Sequence, residues 1–145
     1  MATVKLKRVN GDYGFDTISE NGTIIKMDTN TDMGGQEYGA RPMQVMLNAL
    51  AGCSSIDVIS ILKKQRQEIN DFSVTVNGER EAGVEPSLWK DIEMTFEISG
   101  SVDEDKAKRA VEISMNKYCS VAITLVKAGA NIKTNVIVHK TGSGE

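Results

Sequence analysis

The chain has 145 residues, with 17 basic and 20 acidic side chains and a formal net charge of -3. That balance gives no electrostatic footprint for a phosphate backbone, so no nucleic-acid partner is expected. With 40% apolar residues, 26% charged residues and only two prolines, wholesale disorder is excluded and residues 1–145 read as a single domain able to bury a core.

The opening MATVKLKRVNGD lacks a basic-then-apolar signal segment, and a cytoplasmic location is expected. Residues 3–9, 12–18 and 23–28 read as strands separated by Asn10-Gly11 and Asn21-Gly22, dipeptides that suit hairpin turns, so the first third is expected to be an antiparallel meander. Residues 29–41, TNTDMGGQEYGAR, are polar and Gly-rich. A connection this long is either a solvated crossover from sheet to helix or a functional loop.

Pro42 suits the first position of a helix, where its missing N–H is not needed. The helix is expected over 42–69, about 28 residues and roughly 42 Å long. From Met43 to Leu62 its apolar residues lie on almost every side. A membrane span would place Asp57 and several polar side chains in lipid at high cost, and is rejected. A helix that is apolar all round must instead be covered all round. One small chain would struggle to do this, so a second copy is predicted, making an intimate homodimer with no membrane partner.

Beyond the helix, residues 71–77 alternate and end at Asn77-Gly78, while 79–86 read as a charged connection. Residues 91–99 form the clearest strand, with Ile92, Met94, Phe96 and Ile98 on one face and Asp91, Glu93, Thr95 and Glu97 on the other. Ser101 and Glu104 fit a capping box ahead of another helix. That helix carries Ala107, Ala110 and Val111 inward, is interrupted near Lys117-Tyr118, and resumes through Cys119 until Gly129 stops it. A last strand shows Ile132, Thr134, Val136 and Val138 on one face, and 141–145 read as a frayed tail. The order and the hairpins indicate an α+β fold, with antiparallel sheets packed on a long, buried central helix.

One histidine and two cysteines are present. A multi-histidine metal site is therefore impossible, and a zinc site would need His139, Cys53 and Cys119 together or borrowed carboxylates. No metal and no cofactor are expected. Cys53 follows Ala51 and Gly52 inside the long helix, where glycine costs roughly 1 kcal/mol relative to alanine. Either another backbone packs closely there, or space is left beside the sulfur for a ligand. Cys53 itself is either a small core residue or a reactive thiol facing an interface pocket.

A reactive thiol must ionise, and an ordinary one has a pKa of about 8.5. Asp57, one turn on, opposes ionisation if it points at the sulfur. A nearby cation such as a guanidinium is then required. Arg41 and Arg66 lie near opposite ends of the helix, each roughly 18–20 Å from Cys53 along an unbroken axis. Arg8, Arg80 and Arg109 are candidates from other elements or the second copy, and the sequence does not choose the activating arginine. His139, on a terminal strand, reads as a surface residue rather than a base. Cys119 is either a packing residue or a second thiol able to resolve an oxidised Cys53.

The run 41–58, RPMQVMLNALAGCSSIDV, with the later KYCSV at 117–121, resembles the OsmC/Ohr family of osmotically induced and organic hydroperoxide resistance proteins. The order of elements matches over essentially the whole chain, and the sequence resembles a less characterised, OsmC-like branch more than the best-studied ones. The resemblance implies an intertwined α+β homodimer with two sites at the subunit interface. It also implies a catalytic pair: Cys53 attacks an organic hydroperoxide, Cys119 resolves the sulfenic acid as a disulfide, and an external dithiol reductant closes the cycle. The best-studied peroxidase branches carry a glutamate directly after the helix-starting proline to hold the activating arginine. Met43, followed by Gln44, stands there instead, and Arg8 is the sole arginine before Arg41. Two other readings compete with the peroxidase: an OsmC-like protein that binds a small apolar ligand at the dimer interface without catalysis, and a structural dimer with inert cysteines.

Overall fold

Strand pairing follows the alternation of the sequence in two separate three-stranded sheets. The computed structural model describes residues 1–141; the expected frayed tail lies outside the described residues, apart from Thr141. The backbone divides into two compact units, Met1–Asn48 and a second from Ala49 onward. In the first, β1 (Val4–Asn10), β2 (Gly14–Ser19) and β3 (Ile24–Met27) pair antiparallel in the order β1-β2-β3, the meander that the Asn-Gly turns imply. Gly22 has φ 85°, the left-handed conformation for which glycine is suited.

The polar segment after β3 is an ordered loop built around one carboxylate. Asp28 is 2% exposed, and it accepts backbone N–H bonds from Thr29 at 2.7 Å, Gln36 at 2.9 Å and Tyr38 at 3.1 Å. The Tyr38 hydroxyl donates to Asp16. Residues 29–41 therefore fold back on β3, where Met27 and Ala40 form a parallel bridge. Helix α1 (Pro42–Lys64) begins after this loop. Gln44 Oε1 accepts the Arg41 N–H at 3.2 Å, the half of a capping box in which the third helical residue reaches back to the cap.

Helix α1 is shorter than the hydrophobic pattern suggests. It ends at Lys64 because Arg66 takes a left-handed conformation (φ 58°) and the Gln67 N–H returns to the Leu62 carbonyl at 2.9 Å. Residues 68–69 then belong to the next strand. The helix buries a single stripe, Leu50, Ser54, Val58 and Leu62, at four-residue spacing. Ala49, Gly52 and Ile56 are exposed, Ile56 at 68%. By length and hydropathy α1 is apolar enough to cross a membrane, yet it carries Asp57 hydrogen-bonded to a buried serine.

In the second unit, β4 (Glu68–Arg80), β5 (Trp89–Ser101) and β6 (Asn131–Lys140) pair in that order. Two expectations are corrected here. Strand β4 runs straight through Asn77-Gly78, which pair with Glu93 and Ile92, and the hairpin turns beyond Arg80. Asn-Gly permits a turn but does not impose one when a thirteen-residue partner strand offers a continuous ladder. Strand β6 is parallel to β5, with Phe96 opposite Val136 and Ile98 opposite Val138. The sheets are thus not all antiparallel, because the helical crossover between β5 and β6 returns the chain in the same direction.

The expected face of β5 is the core: Ile92, Met94, Phe96 and Ile98 are all 2% exposed or less. Buried Ala107, Ala110 and Val111 of α2 (Glu104–Ile113) belong to the same core. The cap of α2 is Asp103, whose carboxylate accepts the Lys106 N–H at 2.9 Å; Ser101 instead extends β5 opposite Glu68. A π turn, Ser114–Tyr118, and α3 (Ser120–Lys127) follow, so the interruption near Lys117-Tyr118 is real. Gly129, with φ 109°, ends α3.

Candidate functional site

Cys53 and Asp57 are four residues apart on α1, a spacing that puts both side chains on one face of a helix. Cys119 comes from a different local structure. The π turn delivers its N–H to the Ser114 carbonyl at 2.8 Å, and its extended backbone (φ -75°, ψ 100°) makes it the N-cap of α3. The Cys53 Sγ, the Cys119 Sγ and an Asp57 carboxylate oxygen all lie within 4.8 Å of one another. Two thiols 66 residues apart in sequence thus meet, and both are free. Cys53 is half-buried and Cys119 is fully buried.

The electrostatics of Cys119 follow from its burial. Burial pushes the Cys119 thiol up to about 11. The Ala122 N–H, which donates to its sulfur at 3.4 Å, pulls the other way, as an N-cap donor should, but desolvation wins. The neighbouring Cys53 and Asp57 add to the upward push. Asp57 therefore does point toward the sulfurs, and it is at Cys119 that it opposes ionisation.

Ser114 is the residue that sequence reasoning missed. It is fully buried, and its hydroxyl donates to Asp57 Oδ2 at 2.9 Å, fixing the carboxylate beside the sulfurs. Nothing in SMNKYC marks a serine for this role; the nearest signal is the helix break itself, which a π turn produces. Asp57 also lines a groove of about 590 Å³ together with Ile61, Lys64, Arg109, Lys117 and Tyr118. The groove combines apolar walls with three cationic side chains.

Of the five candidate arginines, Arg109 alone lines the groove with Asp57, and it pairs with Glu112 at 3.2 Å. Arg80 donates to the Ser87 carbonyl and stacks over Trp89, while Arg66 sits in the turn after α1. In the first unit, Arg41 bonds Asn30 and Glu37, and Arg8 is an exposed residue of β1. His139 lies on the exposed face of the second sheet, 3.4 Å from Glu97, which fits a surface role. Gly52 has open space around it in the single chain, so no backbone of this chain crowds it.

A long helix bearing one cysteine, a second cysteine at a later helix start, and two three-stranded sheets define a known class. The family model described as OsmC-like protein matches residues 34–135, and the chain belongs to that family. Protein YhfA of Escherichia coli K12 is 41% identical over 111 residues, which cover 76% of this chain and 79% of that protein. A hypothetical protein from Aquifex aeolicus VF5 superposes with a TM-score of 0.84 at 30% identity, covering 98% of both chains. An organic hydroperoxide resistance protein OsmC from Legionella pneumophila gives a TM-score of 0.66 at 18% identity over 96% of each chain; that likeness concerns the fold alone.

Proposed function

We propose that this protein reduces organic hydroperoxides with Cys53 and Cys119, working as a homodimer in the cytoplasm with the whole chain as one OsmC-like domain. The observation that carries the reading is the meeting of the two sulfurs within 4.8 Å. Their unequal burial supports the division of roles. Half-buried Cys53 can be reached by a peroxide; fully buried Cys119 meets only what forms on Cys53.

The Cys53 thiolate attacks the outer peroxide oxygen, the O–O bond breaks, and the alkoxide leaves to be protonated as the alcohol. Cys53 is then a sulfenic acid, oxidised by two electrons. Cys119 attacks that sulfur and forms the disulfide, while its proton and the departing hydroxide leave as water. An external dithiol returns both cysteines to thiols by exchange. The gap between the sulfurs exceeds the roughly 2.05 Å of an S–S bond, so closure requires side-chain movement. Lys64, Arg109 and Lys117 line the groove beside Asp57 and offer positive charge on that side of the site, and the apolar walls favour an organic peroxide over hydrogen peroxide.

The apolar surface that α1 leaves open in one chain supports the homodimer. The test is stoichiometric. Adding one equivalent of an organic hydroperoxide to reduced protein should remove both free thiols, and Cys53→Ser should abolish peroxide consumption. Peroxide consumption unchanged in Cys53→Ser would sink the reading.

A further inference from the structure

A count of histidines and cysteines leaves zinc open if His139 joins both cysteines or if a carboxylate is borrowed, and Asp57 is placed to be that carboxylate. We propose that Cys53, Asp57 and Cys119 form a three-ligand site for a thiophilic divalent cation, Zn²⁺ being the type, with a fourth position left to solvent. This revises the expectation of no metal, and it does not rest on peroxide reactivity, because binding needs only the reduced thiols.

The geometry is close to what such an ion asks for. Tetrahedral zinc, with Zn–S of about 2.3 Å and Zn–O of about 2.0–2.2 Å, sets its ligand atoms roughly 3.5–3.8 Å apart. The three atoms here lie within 4.8 Å of one another, so contraction by about an ångström, the size of a small side-chain rotation, completes the set. Two ligands come from one helical face at four-residue spacing, the arrangement by which helices commonly present ligand pairs. The third comes from the N-cap of α3. Two thiol sulfurs and a carboxylate make a soft, anionic donor set that suits zinc rather than magnesium or calcium.

The surroundings are organised as metal sites are. Ligating carboxylates are oriented by hydrogen bonds from outside the coordination sphere, and the buried Ser114 hydroxyl holds Asp57 through Oδ2 at 2.9 Å. Cys119 is shielded, whereas Cys53 and Asp57 are half-exposed, which gives the ion a route in and room for water. All three groups can present anionic donor atoms to one shared dication. The ion takes both sulfurs as thiolates, so binding releases whatever protons they carry. Metal and oxidant then compete for the same sulfurs, and a Cys53–Cys119 disulfide cannot hold the ion.

Calorimetric titration of the reduced, full-length protein with Zn²⁺, and of a parallel sample with Cd²⁺ followed by its ultraviolet thiolate charge-transfer absorption, tests this without any peroxide. One ion per chain is expected, with proton release. The disulfide form should bind none, and Cys53→Ser or Cys119→Ser should lose about half of the cadmium–thiolate absorption or more. Asp57→Asn separates the proposal from simple dithiol chelation: affinity should fall by about tenfold or more with the band retained. Asp57→Cys should add a third thiolate and strengthen the band, and it carries the test if the asparagine variant loses its circular dichroism signature of folding. Absence of saturable one-per-chain binding, or equal affinity in wild type and Asp57→Asn, overturns the site. Neither result touches the peroxidase reading, and failure to consume peroxide leaves the metal site standing.

Discussion

The Ser114 hydroxyl and the Asp57 carboxylate are joined by a 2.9 Å hydrogen bond that ties the middle of α1 to the π turn leading into Cys119. Because Ser114 is fully buried, removing its hydroxyl leaves Asp57 without that donor and gives nothing back. Ser114→Ala should lower stability by about 1–3 kcal/mol, the usual cost of stranding a partly buried acceptor. It should also slow Cys53–Cys119 disulfide formation, because the π turn is no longer anchored to α1. Urea denaturation reads the first effect, and free-thiol counting against time after oxidant addition reads the second. A stability within ~0.5 kcal/mol of wild type would show that the bond contributes nothing.

The two thiols should differ sharply toward alkylating agents. Cys119 is fully buried and its thiol is pushed up to about 11 by that burial. A raised thiol stays protonated below its pKa, so at neutral pH Cys119 is both hidden and unreactive. Labelling with iodoacetamide followed by peptide mass spectrometry should modify Cys53 first throughout the range from neutral to about pH 9. Cys119 should follow only on denaturation or as the pH approaches 11. Equal rates at neutral pH would contradict the assignment of attacking and resolving roles.

Much of this was legible in the residues, and the exceptions share a cause. Alternation over 92–98 identified the β5 core face because one side meets protein and the other meets water. Pro42 and Gly129 marked helix ends through backbone chemistry that context rarely overrides. The misread positions are those where pairing partners decide. Asn77-Gly78 became strand because β5 runs opposite it, and residues 68–69 left the helix for the same ladder. The direction of β6 depends on a crossover that local pattern does not encode. At the site, Cys53 and Cys119 stood out by chemical type and Asp57 by helical spacing. Ser114 did not, since its role exists only once the π turn brings it against α1.

The open face of α1 bears on assembly. Ile56 is 68% exposed in the single chain, and a Cβ added at Gly52 would meet nothing within 4 Å. If this face were solvent, Ile56→Glu would be a surface change within about ±0.5 kcal/mol. Against a second copy it places an unpaired charge in an apolar interface, which costs several kcal/mol. Ile56→Glu should therefore convert the proposed dimer to monomer in sedimentation velocity, with Gln44→Glu, at another exposed position of α1, as a control for added charge. A wild-type chain that sediments as a monomer, or a variant that stays dimeric, would rule out this face as the interface.

The Asp28 loop should be the acid-sensitive element of the first unit. The Gln36 N–H is the largest influence holding the Asp28 carboxyl below its ordinary value, ahead of the opposing effect of burial, with Tyr38, Thr29 and the nearby Arg41 adding to the lowering. A carboxyl with a depressed folded-state pKa contributes stability that is present above its unfolded pKa, about 3.9. That stability is lost as pH falls through the lower, folded value. Acidification from neutral to about pH 4.5 should leave the loop intact, and further acidification should release it. Hydrogen exchange at the amides of Gln36 and Tyr38, corrected for the intrinsic pH dependence of exchange, reports this directly, because both donate to Asp28. Asp28→Asn should remove the acid transition while weakening protection of the same amides at neutral pH. Protection in the wild type that stays constant to below pH 3 in the corrected rates, or an asparagine variant with the same profile, would show that the loop is held by something other than this carboxylate.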